Sequence, residues 1–152
     1  IKAQFWTVEA KDLFKDCALF AIGEKGKIHD VGINQNFSES VEGIRIRDTQ
    51  SLNFLDENDT LLCDERYTIS FQTFNFGNFT ENVTIKGQLD HFNWTSLKLN
   101  LEQGKSTTSG SKTILLDLAS GTYNVIIETF IELDENLENN EVQREIKVLC
   151  EE

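Results

Sequence analysis

A chain of 152 residues with 39% hydrophobic content, no proline and no methionine fits one domain. A chain of this length buries about two-thirds of its unfolded surface, so a core can hold it without a disulfide framework or a structural metal. The formal charge of −12, from 26 acidic against 14 basic residues, repels phosphate backbones and speaks against a nucleic-acid partner, and no apolar run approaches the roughly 18 residues of a membrane-spanning helix.

In chain order, residues 1–28 form an N-terminal extension with β character. Ile1, Ala3 and Phe5 alternate with Lys2 and Gln4, and parity shifts at Trp6 to continue with Val8. Residues 8–16 carry the nearest approach to a short helix. Strands are expected near 3–8, 17–22, 28–33, 43–47, 66–76, 82–89, 95–101, 112–118, 122–131 and 141–149. Alternation places Tyr67/Ile69/Phe71, Leu97/Leu99/Leu101 and Ile114/Leu116/Leu118 inward, the mark of sheets with one solvated face. Phe74 and Phe76 break the parity of Phe71, which suggests a bulge or a crossing between faces. Val142, Ile146 and Val148 share one face of the last strand, with Gln143, Glu145 and Lys147 on the other. Short strands, turns of Gly, Asn, Asp and Ser, and no long helical period predict an all-β, immunoglobulin-like antiparallel sandwich over residues 29–152.

The stretch from Thr122 to Leu149 reads as two strands joined by an acidic, Asn-rich connection, Glu132 to Asn140. Upstream lie Glu65-Arg66-Tyr67-Thr68-Ile69-Ser70-Phe71, then Asn75-Phe76-Gly77-Asn78, then Phe79 to Ile85. Ser120-Gly121-Thr122-Tyr123 and His29-Asp30-Val31-Gly32-Ile33 complete the set. Together these segments resemble the cell-adhesion-related (CARDB) domain of bacterial and archaeal surface proteins, over roughly residues 29–149. The acidic connection is shorter than the family's pattern. The resemblance implies an immunoglobulin-like sandwich, assembly outside the cell and no catalytic residues.

Five Asn-x-Ser/Thr acceptor sequences, at Asn36, Asn58, Asn78, Asn82 and Asn93, exceed the roughly two that chance placement gives, and they fall in or beside turns. They are read as sites for N-linked glycans; the alternative is that Asn and Thr simply gather in loops. The start at Ile1 is read as processing, a secretory signal being one candidate, with a fragment as the other reading. Of three pairings among Cys17, Cys63 and Cys150, the strand count favours Cys63–Cys150, whose ends fall at the same end of the sandwich. That bridge would close a loop of about 90 residues and contribute about 4–5 kcal/mol on the loop-entropy model. Three free buried thiols are the other reading.

No nucleophile motif stands out, and His29 and His91 are read as satisfied surface groups. Asp134, Asn136, Glu138 and Glu145 match an EF-hand count, but Asn139 replaces the required Gly and strands flank the loop. A looser calcium site of Glu132, Asp134 and Glu135, with Asp56, Glu57 or Asp59, competes with a solvated acidic turn, the preferred reading; no cofactor is expected. The cluster His91, Phe92, Asn93 and Trp94 reads as a turn that could present an aromatic platform to sugar.

Two functions follow. The first is a non-enzymatic, extracellular, glycosylated subunit of a cell-surface filament, pilus or layer. Its N-terminal residues Ile1, Ala3, Phe5, Trp6 and Val8 would contact a neighbouring copy as an added strand. The second is an adhesive or carbohydrate-binding module of a larger surface protein.

Overall fold

The computed structural model describes residues 26–152. The expected strands near 3–8 and 17–22, the short helix at 8–16, Cys17, and the contact residues Ile1, Ala3, Phe5, Trp6 and Val8 lie outside the described residues. The strands are β1 (Val31–Ile33), β2 (Ile44–Asp48), β3 (Thr60–Leu62), β4 (Arg66–Phe71), β5 (Thr73–Asn75), β6 (Glu81–Leu89), β7 (Phe92–Leu101), β8 (Ser106–Thr107), β9 (Lys112–Leu115), β10 (Gly121–Phe130) and β11 (Glu141–Leu149). A single 3-10 turn, Leu137–Asn139, precedes β11, and no α-helix occurs among the described residues.

One layer is a five-stranded sheet in the order β3-β11-β10-β6-β7. The other is made of two three-stranded pieces, β2-β4-β9 and β1-β5-β8. These pieces are collinear: only Gln72 separates β4 from β5, and β1 pairs with β5 as β2 pairs with β4. All pairings are antiparallel except that of β11 with β3, which is parallel. The result is the all-β sandwich that the alternation predicts.

The core forms where the inward rows of the two layers meet. Val83, Ile85 and Leu89 of β6 and Val125 and Ile127 of β10 face Ile44, Ile46, Ile69 and Phe71 of the opposite layer, all fully or almost fully buried. Each such side chain contributes about 1.5–3 kcal/mol on leaving water. Tyr67/Ile69/Phe71 and Ile114/Leu116/Leu118 point inward as expected. The Tyr123 hydroxyl donates to Ala119 O at 2.8 Å, pinning the start of β10 to the chain just upstream.

Three readings change. Leu97 and Leu99 were expected inward but are 61% and 55% exposed, and only Leu101 is buried. The parity of β7 is set at its other end, where the Trp94 ring lies directly over Gly87 and its Nε1 donates to Gly110 O at 2.8 Å. Any side chain at Gly87 would meet that ring. A register shift between Glu81 and Val83, with Asn100 at φ 54°, then turns Leu101 back into the core. Phe74 and Phe76 do not cross into the core either: inward parity runs on through Thr73 and Asn75, both 0% exposed, and the two rings pack on each other outside at 4.7 Å. The short strands β3 and β8 were not anticipated.

The Asn75-to-Gly77 turn works through its buried amide. Asn75 Nδ2 donates to Phe79 O at 2.6 Å and to Leu101 O at 2.9 Å, and its Oδ1 accepts from Gly77 N at 3.0 Å. Gly77 is required because a Cβ there would lie 2.6 Å from Ile28 O and 2.7 Å from Asp30 N. Ile28 therefore belongs to the folded body: its N–H donates to Asn78 Oδ1 at 3.0 Å.

Candidate interaction surface

β7 is the outer strand of the five-stranded sheet and has ten residues, whereas each other edge strand (β1, β2, β3, β8, β9) has five or fewer. Among the described residues it pairs with β6 alone. Its free side thus presents a run of backbone donors and acceptors without a neighbouring strand. It contains no proline and one charged residue, Lys98. On its outer face stand Leu97 and Leu99, and in the register Leu97–Thr84–Phe130 the 62% exposed Phe130 follows two strands away.

The acceptor asparagines surround this face. Asn82 on β6 and Asn93 on β7 are exposed on the same outer side; Asn82 Oδ1 accepts from Asn100 N at 3.0 Å, and Asn93 Nδ2 donates to His91 O at 3.3 Å. Asn36 and Asn58 occupy exposed turns, while Asn78 is half-buried with its Oδ1 held by Ile28 N.

The turn considered as an aromatic platform at His91 to Trp94 is mostly strand. Phe92, Asn93 and Trp94 belong to β7 rather than a turn, and Trp94 is half-buried against Gly87 and Gly110. His91 is exposed, with Nδ1 at 3.1 Å from Asp90 Oδ2 and Nε2 at 3.0 Å from Asp117 Oδ1. The hydrogen bond to Asp90, together with the negative charge of both carboxylates, raises its pKa above the ordinary value.

At the opposite end of β10 the acidic connection closes onto β1. His29 N donates to Glu135 Oε2 at 2.6 Å, and Glu135 N to His29 O at 2.8 Å. The His29 ring stacks on Phe79 at 4.1 Å and its Nδ1 bonds Glu81. Asp30, 6% exposed, accepts from Asn139 Nδ2 at 2.7 Å. Of the calcium candidates, Glu132 is exposed, Asp134 Oδ1 accepts from Asn136 N at 3.0 Å, and Glu135 is committed to His29. Asp56 and Asp59 lie instead beside Arg144. No three His, Cys, Asp or Glu side chains among the described residues gather closely enough to hold a metal ion.

Arg144 escaped the sequence reading although it shares parity with Val142 and Ile146. It is 2% exposed and donates to Ile44 O at 2.9 Å, Leu55 O at 2.8 Å and Asp56 O at 3.2 Å, tying β11 to the opposite layer and to the loop before β3. Burial pulls its pKa down, against the opposing charges of Asp56 and Asp59. Cys63 and Cys150 form a disulfide with a Cα–Cα distance of 4.9 Å. It follows the parallel β3–β11 pair, where Cys63 N also donates to Leu149 O at 3.1 Å.

No family model matches the chain, and no curated protein matches it. Solved structures do. The crystal structure of the CARDB domain of the PF1109 protein from Pyrococcus furiosus, in complex with di-metal ions, superposes with a TM-score of 0.57 at 12% identity, covering 82% of this chain and 97% of that one. This chain has a CARDB-like fold. The solution structure of the same Pyrococcus furiosus domain agrees, with a TM-score of 0.52 at 13% identity over 82% of this chain and 99% of that one. At such identities the likeness speaks for the fold of the CARDB-like chain. No helix among the described residues is long and apolar enough to cross a membrane.

Proposed function

We propose that this CARDB-like domain is a non-enzymatic, extracellular structural unit of a cell-surface assembly, in which residues Ile1 to Val8 of one copy add as a strand to β7 of the next. The observation that carries the reading is β7 itself: a ten-residue edge strand that pairs with β6 alone among the described residues and bears exposed Leu97 and Leu99. Sheets in isolated domains blunt such edges with charge, proline or brevity. Here the edge is long, with one charge and no proline, and the chain carries a β-type apolar segment in which Ile1, Ala3 and Phe5 alternate and parity shifts at Trp6 to continue with Val8. Strand addition would satisfy both backbones and cover the leucines.

The disulfide suits an oxidising compartment, and the exposed acceptors Asn36, Asn58, Asn82 and Asn93, with Asn78 less accessible, suit N-linked glycans. Non-enzymatic use fits the histidines: His29 is locked by Glu81 and Phe79, and His91 sits between carboxylates with no nucleophile bonded to it. The Pyrococcus furiosus domain was solved with metal ions, but among the described residues the acidic groups of this chain do not converge, and metal forms no part of the proposal. The carbohydrate reading is weakened because Trp94 is half-buried within β7, its ring over Gly87.

Deleting residues 1–10 tests the proposal by sedimentation. The truncated chain should stay folded but monomeric under conditions in which the full chain associates. Association equal to that of the full chain would overturn strand donation.

A further inference from the structure

The Cys63–Cys150 bridge lies where tension would leave the domain, and its connectivity decides which residues such tension can reach. The described chain enters beside the 132–140 connection, where His29 bonds Glu135 and Asp30 bonds Asn139. β11 starts at that end and runs nine residues away from it, about 30 Å, before Cys150. Load applied through residues on either side of the sandwich therefore crosses it from end to end.

Without the bridge, the pull on Cys150 falls on β11 and its pairing with β10 and β3, and sliding β11 out opens everything behind it. With the bridge, the last residue of the β11 side is covalently the first residue beyond β3. We propose that this disulfide is a mechanical clamp. Tension passes from Cys150 directly to Cys63 and back through β3, β2 and β1, while the intervening residues, 64–149, form a closed covalent loop outside the load path.

That loop contains β4 to β11, with the whole of the β11-β10-β6-β7 sheet and its β7 edge. The exposed strand proposed for assembly is thus the part protected from stretching. What remains under load among the described strands is β1, β2 and β3, anchored by Ile33, Ile44, Ile46 and Leu61, which are 2%, 0%, 0% and 2% exposed. The clamp exchanges the sliding of nine-residue β11 for a pull on β3, whose Leu61 is 2% exposed, so the first rupture under load should come at higher force with the bridge than without it. This concerns a single copy and stands whether or not copies associate through β7.

Single-molecule stretching of the full chain between handles at its two ends tests it. The comparison is the oxidised protein against the Cys63→Ala/Cys150→Ala variant, with in situ phosphine reduction of the wild type serving if the variant does not fold. The bridge spans 87 positions, so opening it should add about 300 Å to the released contour length at about 3.5 Å per residue. The first rupture should also move to lower force. Equal lengths in the two states would place the bridge outside the load path. A length difference without any drop in rupture force would show that β11 is not the vulnerable route, and either result overturns the clamp.

Discussion

Replacing Leu97 and Leu99 together by lysine separates a docking edge from a merely exposed one. Full burial of a leucine side chain contributes about 1.5–3 kcal/mol. The two residues are 61% and 55% exposed, so roughly half of that, on the order of 1 kcal/mol each, is still to be gained when a strand covers them. The pair then carries about 2 kcal/mol of association, a factor of roughly 30 in the dissociation constant. The fold should barely notice, because exposed substitutions away from caps and hydrogen bonds usually stay within about 0.5 kcal/mol. Charge makes the sign informative. Each copy carries −12, so two lysines reduce mutual repulsion and would strengthen any association governed by net charge. The double variant is compared with wild type by sedimentation, alongside urea unfolding and a control with lysines at the equally exposed Leu133 and Leu137. Apolar docking at β7 requires weaker association in the first variant only. Unchanged or tighter self-association of a normally stable Leu97→Lys/Leu99→Lys protein refutes the reasoning.

Arg144→Met should cost about 1–3 kcal/mol and Arg144→Ala about 3–5 in urea unfolding. Ile44 O also accepts from Val41 N and Asp56 O from Asp59 N, so methionine orphans only Leu55 O while keeping the packed stem; equal losses for the two variants would contradict this. His91 should titrate above its ordinary 6.5 by NMR, and Asp117→Asn should bring it down. Since its folded pKa is the raised one, any stabilisation from His91 is present below pH 6.5 and disappears as pH rises through the folded value, and a titration at or below 6.5 removes the argument. Native material should exceed the bare polypeptide mass by glycans on two or more of Asn36, Asn58, Asn78, Asn82 and Asn93; an intact mass equal to the polypeptide excludes them.

The fold was legible wherever burial and parity agree. In β4 and β6 one face is apolar or glycine and the other polar, and period two alone orients them. It failed where a contact from outside the strand sets the parity. Leu97, Leu99 and Leu101 alternate as an inward row should, but the Trp94–Gly87 packing and the irregularity at Asn100 decide otherwise. Arg144 was passed over for the converse reason: its position said inward while its chemistry said outward, and position won because backbone carbonyls from Ile44, Leu55 and Asp56 met the guanidinium. The Cys63–Cys150 pairing came from the count of strands together with the inferred extracellular setting, since an even up-and-down order returns both ends to one side. β3 was invisible, because three residues held by a parallel neighbour and a disulfide leave no periodic trace.

The two edges of the large sheet are treated unequally, and the inequality bears on how copies could join. β3 closes one side with three residues, covalently fixed to the end of β11, which leaves little backbone to extend. Among the described residues, β7 leaves the other side open along ten residues. If two copies met β7 to β7, the contact would be self-complementary, would consume both open edges and would close as a dimer. A strand drawn from residues 1–8, as proposed, would instead engage the edge with a different part of the molecule, so a growing assembly would keep one free donor and one free acceptor however many copies had joined. Contacts of that heterologous kind propagate into rings or filaments. The exposed acceptors Asn82 and Asn93 sharpen the choice: glycans there would project from the outer face of β6 and β7 and hinder stacking of sheet on sheet. They would leave the edge, which lies in the plane of the sheet, free to pair. A blunted edge, an open one and a face guarded by acceptor sites together favour growth in one direction.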